Sequence, residues 1–324
     1  MKTLFMGFAL RLSPWKELRF YECLMKDGMN VERDHEEDKL KKFTLVFIYG
    51  SGRCGSTILD LLLNGHPQIT SLGEIATLMT VVNPFHLPDR LSADFGQKYL
   101  EFWSKVSECY ETMTGKPFDQ IYLGHPRWTT IITSWKEDDI QNWVHSRATL
   151  LSCIHQLSGT PILVDASKVH NQLYLLYRSR SFNIKIIHLI RDGRAVANSY
   201  IRRYNDFIGG VYLWMVTNVL SLWFRKKLGQ DNWIQIKYEN LVNKPEGALK
   251  SICRFLGINF EPSMLHYRSH PYFGIGGNPH VKDANEEAIV LDERWKKELS
   301  WGYRLTFAFV AGWLNKLYGY KIIC

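Results

Sequence analysis

Several common signatures are missing from this sequence. No two of its six cysteines are spaced C-x-x-C, and none stands near a histidine in a zinc-like pattern, which argues against a metal site or a disulfide framework. Cysteines scattered singly fit a reducing compartment, so a cytoplasmic localisation is expected. No internal repeat or low-complexity tract is present. No block of lysine or arginine exceeds three, so the long cationic runs of nucleic-acid binders are absent and no nucleic-acid partner is expected. No apolar stretch reaches the roughly 20 residues of a membrane span. Residues 209–224 (GGVYLWMVTNVLSLWF) come nearest, uncharged over 16 positions. They contain Thr217, Asn218 and Ser221, end at Arg225-Lys226-Lys227, and read as a buried core helix. Residues 1–10 are too short to span and lack a convincing cleavage site, so no transmembrane helix is expected. Residues 305–317, interrupted by Gly312, Asn315 and Lys316, read as an amphipathic terminal helix. It packs on the core, with peripheral membrane contact left open.

What the sequence does contain is a globular core. Apolar residues make up 46% and charged residues 22%, which excludes a disordered or fibrous chain. The net charge of +8 suits an anionic partner without naming one. Short β-rich runs at 44–49 (TLVFIY), 161–164, 184–190 and 233–238, with a weaker one at 68–72, alternate with helical patterns at 56–64, 75–82, 92–110, 138–157, 193–203, 211–228 and 245–256. This alternation predicts an α/β fold: a central parallel sheet of about five strands flanked by helices on both faces. The motifs spread along one sheet, so the reading is one domain over 44–304, an N-terminal extension over 1–43 and a helix and tail over 305–324.

Ligands of such sheets bind beyond the carboxyl ends of the strands. TLVFIY runs into Gly50-Ser51-Gly52-Arg53-Cys54-Gly55-Ser56-Thr57 and then into a helical segment. In that geometry backbone amides and a helix N-terminus surround a phosphate. Ser56 stands where an NTPase loop needs its lysine. The cation here is Arg53, suited to forked contact with an oxyanion. Cys54 reads as a small filler of the turn. The run at 184–190 leads into Arg191-Asp192-Gly193-Arg194, with Ser199 and Arg203 four apart on one helix face. Arg191, Ser199 and Arg203 form a candidate grip for a second phosphate, and Asp192 reads as an N-cap or arginine partner.

GSGRCGST, HLIRDGRAVANSYIRR and IKYENLVNKPEGALKSICRFLGINFEP, taken together, resemble the sulfotransferases that use 3′-phosphoadenosine 5′-phosphosulfate (PAPS). The branch most like it holds tyrosylprotein and carbohydrate sulfotransferases and bacterial relatives, and the resemblance covers residues 44–300. It implies a P-loop-like fold, PAPS as sulfuryl donor and no metal. It also implies that Arg53, Cys54, Gly55, Ser56 and Thr57 bind the 5′-phosphosulfate, that Arg191, Ser199 and Arg203 bind the 3′-phosphate, and that Tyr238 contacts the adenine.

Glu74 in ITSLGEIATL resembles the Gly-Glu of the tyrosylprotein branch, whose glutamate is the general base. Ala76 replaces that branch's arginine, which weighs against a tyrosyl-peptide acceptor but not against the base. Lys168 in PILVDASKVH matches a lysine at the leaving oxygen, with Asp165 and His170 as substitute bases. His66 reads as shaping its turn. Lys282, in a Gly-rich loop at 274–282 (GIGGNPHVK), matches a basic residue that the resemblance implies closes over the 3′-phosphate. The acceptor, whether a small molecule, lipid, carbohydrate or peptide bearing a hydroxyl or amine, is unspecified. Its pocket is expected from 76–135 and 205–215, with Trp103, Trp128, Tyr204, Phe207 and Tyr212 as aromatic walls. The alternative is an inactive nucleotide binder or a P-loop protein of another class. The absent lysine opposes an NTPase, and Glu74 and Lys168 oppose an inactive binder.

Overall fold

The computed structural model describes residues 43–78, 83–85, 93–121, 136–278, 281 and 289–323. Lys282, Trp128 and all but the last residue of the expected N-terminal extension lie outside them. Five strands form one sheet: β1 (Thr44–Tyr49), β2 (Ile69–Ser71), β3 (Ile162–Asp165), β4 (Asn183–Ile190) and β5 (Trp233–Lys237), in the order β2-β3-β1-β4-β5. Every pairing is parallel, and Val46 of the central β1 lies between Val164 of β3 and Lys185 of β4.

The sheet is covered on both faces, which is why LVFIY, after the half-buried Thr44, is a continuous apolar run instead of alternating. Leu45, Phe47 and Tyr49 enter one core, and Val46 and Ile48 the other. The first face packs on α2 (Ala93–Thr114) and α3 (Glu137–Ser158), through Trp103, Leu150 and Leu151. The second meets α1 (Ser56–Asn64), through Leu59 and Leu62. After β3 comes α4 (His170–Ser179), and after β4 come α5 (Gly193–Tyr204) and α6 (Phe207–Leu228). After β5 come α7 (Tyr238–Asn243) and α8 (Pro245–Leu256), and α9 (Trp301–Leu317) closes the chain. A third apolar cluster joins α5, α6 and α9 around Trp214 and Phe307.

Among the described residues α6 alone is long and apolar enough to cross a membrane, and most of it is buried in the fold. Polar groups along it are engaged within the fold. Tyr49 Oη donates to the Thr217 carbonyl at 3.2 Å. His188 Nε2 and Asn218 Oδ1 lie 3.0 Å apart, and Ser221 Oγ is 2.7 Å from Tyr318 Oη.

The structure departs from the sequence reading at four places. The helix α4 (His170–Ser179) is not among the expected elements. Of the helix expected over 75–82, residues 79–82 lie outside the described residues, and the described start forms one 3-10 turn, Ile75–Thr77. The Glu74 amide donates to the Ile275 carbonyl at 2.6 Å, the Ala76 amide to Ser167 Oγ at 3.0 Å, and Leu78 turns extended at ψ 131°. The turn closes with i→i+3 bonds, the Thr77 amide to the Glu74 carbonyl at 2.8 Å and the Leu78 amide to the Ile75 carbonyl at 3.1 Å, and extended Leu78 ends it before an α-helical bond forms. Tyr238 is the first residue of α7 and not the end of a strand. Finally, Cys109 of α2 and Cys153 of α3 are joined in a disulfide, with Cα atoms 5.9 Å apart. The sequence argues against a disulfide framework and does not signal this single bond, because a lone pair 44 residues apart has no spacing signature, and only the packing of two helices brings it together.

Candidate functional site

The first element of the site is the loop between β1 and α1. Ile58 and Leu59 amides both bond the Gly55 carbonyl, at 3.1 and 3.2 Å. The Ser56 and Thr57 amides, at the helix start, have no intrahelical acceptor. This is the anion-seeking end of a helix. Gly55 holds φ at 99°, and a Cβ there would strike the Tyr238 ring, so no side chain fits at that position.

Four non-glycine residues among those described have positive φ: Arg53, Lys168, Arg180 and Asn205. Arg180 and Asn205 are left-handed helix C-caps, a common use of that conformation. Arg53 (φ 67°) and Lys168 (φ 63°) cap nothing. Both are candidate site residues, and local strain held by the surrounding structure concentrates at functional sites.

Arg53 and Ser199 meet directly: Arg53 Nε donates to Ser199 Oγ at 3.0 Å. The loop after β1 and the helix after β4 thus form one cluster. Arg191 joins it, with Nη1 donating to the Arg53 carbonyl at 3.1 Å and Nη2 to the Asp292 carbonyl at 2.9 Å. The Arg191 guanidinium also lies 4.4 Å from the Tyr238 ring centroid and 3.2 Å from Asp292 Oδ2. Its Nε is buried without a hydrogen-bond partner. Asp292 is held well below the usual carboxylate range, chiefly by hydrogen bonds from Arg294 and further by the charge of Arg191. Arg203, one turn beyond Ser199, is exposed and is not drawn into the cluster by any hydrogen bond or ion pair among the described residues.

Asp192 caps α5, accepting from the Arg194 amide at 3.0 Å, and also pairs with the Arg194 guanidinium at 2.6 Å. Both readings of Asp192 hold. The Tyr-Glu-Asn segment explains itself alongside: Tyr238 lies on Gly55 and Arg191, and Glu239 Oε1 accepts the Asp192 amide at 3.2 Å.

A second element lies at the ends of β2 and β3, which are neighbours. Lys168 Nζ donates to Glu74 Oε1 and to the Ala166 carbonyl, each at 2.7 Å. Glu74 follows Gly73, whose φ is 62° and whose Cβ, if present, would strike the Ile275 backbone. Cys54 links the two elements. Burial pushes its thiol up, against the pull of Lys168 and Arg191, so it is a filler and not a thiolate. Thr57 Oγ1 accepts the Asn278 amide at 3.1 Å, bringing the described part of the Gly-rich segment onto the phosphate loop.

Asp165 is not available as a base. Its Oδ2 pairs with Arg147, both side chains fully buried, and its Oδ1 accepts the Ser167 amide at 2.8 Å. His170 is pushed down to about 4 by desolvation and is neutral near pH 7. His66 shapes its turn, with Nδ1 accepting the Gln68 amide at 3.0 Å and Nε2 facing the Asn259 carbonyl at 2.8 Å. Of the aromatic walls expected for the acceptor, Trp103 is buried and donates to the Phe273 carbonyl at 3.0 Å, Phe207 is buried, and Tyr204 is exposed. Sequence reasoning missed Arg147, Ser167 and Asp292. The only advance signal was one arginine in the apolar run WVHSRATLL.

A parallel sheet with a lysine-free glycine loop at the end of its central strand, backed by Arg191 just after the neighbouring strand, defines a P-loop-like fold. A solved structure of the same architecture is the sulfotransferase domain of the Synechococcus PCC 7002 olefin synthase, with a TM-score of 0.55 and 20% identity over 90% of this chain and 99% of that one. The chain belongs to the sulfotransferase family, which it matches over residues 46–262. It is 25% identical over 256 residues to protein-tyrosine sulfotransferase 2 of Gallus gallus, covering 76% of this chain and 58% of that protein. It is 32% identical over 238 residues to protein-tyrosine sulfotransferase A of Caenorhabditis elegans, covering 68% and 52%. The chain thus spans about half the length of these curated relatives.

The expected cytoplasmic localisation is overturned. Relationship to protein-tyrosine sulfotransferases conflicts with it. The Cys109–Cys153 bond points the same way, since such bonds persist in oxidising compartments.

Proposed function

We propose that this chain transfers a sulfuryl group from PAPS to a hydroxyl or amine of an acceptor, with residues 44–304 as the catalytic domain. The observation that carries this reading is the Lys168–Glu74 contact at 2.7 Å, beside a loop whose Arg53 reaches Ser199 at 3.0 Å. The donor set fits a nucleotide with two anionic ends: Arg53, Arg191 and Lys168 supply cations, Ser199 a hydroxyl, and the buried Arg191 Nε lacks a partner.

PAPS, when bound, supplies the sulfuryl group and a phosphate leaving group. Arg53 and the amides at the start of α1 hold the anion being transferred. Arg191 and Ser199 fix the far end of the nucleotide, and Tyr238 serves by holding Gly55 and Arg191 in place. Glu74 Oε2 takes the proton of the acceptor hydroxyl, while Lys168 orients Glu74 and neutralises charge released on the leaving side. Arg203 and Lys282 are reserve contacts to the same end of the nucleotide.

The relatives named for protein tyrosine put tyrosyl peptides first among acceptors, although Ala76 lacks the branch's arginine. The test is transfer from sulfur-35-labelled PAPS to a panel of phenols, sugars, lipids and tyrosyl peptides, with calorimetry of 3′-phosphoadenosine 5′-phosphate alongside. Micromolar nucleotide binding with labelling of one acceptor class is expected. Binding without any labelling would favour an inactive binder, and no binding would overturn the reading.

A further inference from the structure

The two faces of α9 contradict the usual pattern for a surface helix. One face is buried: Phe307, Ala311, Leu314, Asn315 and, just beyond the helix, Tyr318 pack against α5 and α6. Asn315 Oδ1 also accepts the Gly193 amide at 3.1 Å, so the helix is tied to the fold. The opposite face should then be polar. Instead it carries Trp301, Leu305, Phe309, Trp313 and Leu317. These stand four apart, a stripe that turns by only about 160° along the helix. Phe309 is 83% exposed and the other four between 45% and 59%.

Charge selects the occupant. The stripe includes Lys316, with Arg304 and Lys321 close in sequence, and no Asp or Glu occurs from residue 299 to the end of the chain. The acidic residue just before, Glu298, is bonded to Asn198 at 2.7 Å. Tryptophan, phenylalanine and leucine around an exposed lysine, in a segment free of acidic residues, suit the boundary between anionic headgroups and acyl chains. A two-fold copy of this face would set Lys316 against like charge with no anion to meet it. A spanning role is excluded by length and packing. The 17 residues make about 25 Å of helix against a hydrocarbon core of about 30 Å, and one face is committed to the domain.

We propose that the outward face of α9 is an in-plane docking surface for an anionic lipid bilayer. Trp301, Leu305, Phe309, Trp313 and Leu317 enter the headgroup–acyl boundary, and Lys316 meets lipid phosphate or carboxylate. Docking needs no change in the fold, because the buried face keeps its contacts.

The test is flotation of the full chain with vesicles of phosphatidylcholine alone and of phosphatidylcholine and phosphatidylserine in equal amounts. It is combined with hydroxyl-radical footprinting of the unmodified chain. Flotation with the anionic vesicles is expected, with oxidation of Trp301, Phe309 and Trp313 reduced several-fold on them. Phe309→Ser with Trp313→Ser should weaken partition about tenfold at unchanged circular dichroism. Should that pair fail to fold, Phe309→Ser alone and the footprint carry the test. Flotation without protection of the stripe would place membrane contact elsewhere and overturn the proposal. So would protection that rises with protein concentration in the absence of lipid, which means a second copy, or protection at every dilution, which means the chain's own residues 1–42. Absence of flotation would overturn it as well.

Discussion

Lys168 Nζ lies 2.7 Å from Glu74 Oε1 although 94 residues separate them. The contact exists because β2 and β3 are neighbours in the sheet, so the segments leaving them emerge side by side. Glu74→Gln should lower turnover on the true acceptor by about 100- to 10,000-fold, and Lys168→Met by a similar order. Calorimetric affinity for 3′-phosphoadenosine 5′-phosphate should change little for Glu74→Gln. Full turnover in that variant would remove Glu74 from the base role.

Arg191 already holds an anion, the Asp292 carboxylate at 3.2 Å. A nucleotide phosphate has to share or displace that partner. Asp292→Asn should therefore tighten nucleotide binding by roughly two- to fivefold, the scale of a partly exposed ion pair. Arg191→Lys should weaken it by at least about tenfold, because an ammonium cannot replace a fork. Unchanged affinity in both variants would exclude Arg191 from the nucleotide site.

The buried Arg147–Asp165 pair carries a stability prediction with a functional arm. Arg147→Met alone leaves a carboxylate uncompensated and should cost about 3–5 kcal/mol in urea unfolding. Adding Asp165→Leu should recover most of that loss. Turnover should stay low in the double variant, because the Ser167 amide loses its acceptor on Asp165, and Ser167 in turn holds the Ala76 amide beside Glu74.

His188 gives a pH dependence. Burial pushes it from 6.5 down to about 4, so between those values the unfolded chain binds a proton that the folded chain does not. Stability present above pH 6.5 is lost as pH falls toward 4, by roughly 3 kcal/mol for this group. His170, also lowered to about 4, adds with the same sign. Urea midpoints at pH 7 and pH 4.5 should differ less in His188→Gln than in the parent chain.

What the sequence displayed was local chemistry. Strand, glycine loop and helix at 44–64, and strand, arginine and N-cap at 183–204, are short segments whose residue types dictate their shape. They therefore read correctly, as did all five strands to within a few residues. Glu74 and Lys168 were each legible from flanking residues, but their contact was not. Arg147, the Cys109–Cys153 pair and the contact of Asp292 with Arg191 depend on the packing of elements separated in sequence. The described start of the helix expected at 75–82 ends after one 3-10 turn because Leu78 is extended, and no local residue type signals that. Tyr238 was placed on the right segment, but its contacts with Gly55 and the Arg191 guanidinium were not legible there.

The bond between Cys109 and Cys153 has a practical consequence for handling the protein. A protease that cleaves anywhere between those two positions yields two polypeptides that remain one covalent molecule. Such a nick would be invisible on a non-reducing gel and would resolve into two bands on a reducing one. Apparent purity judged without reductant therefore overstates the fraction of uncut chain.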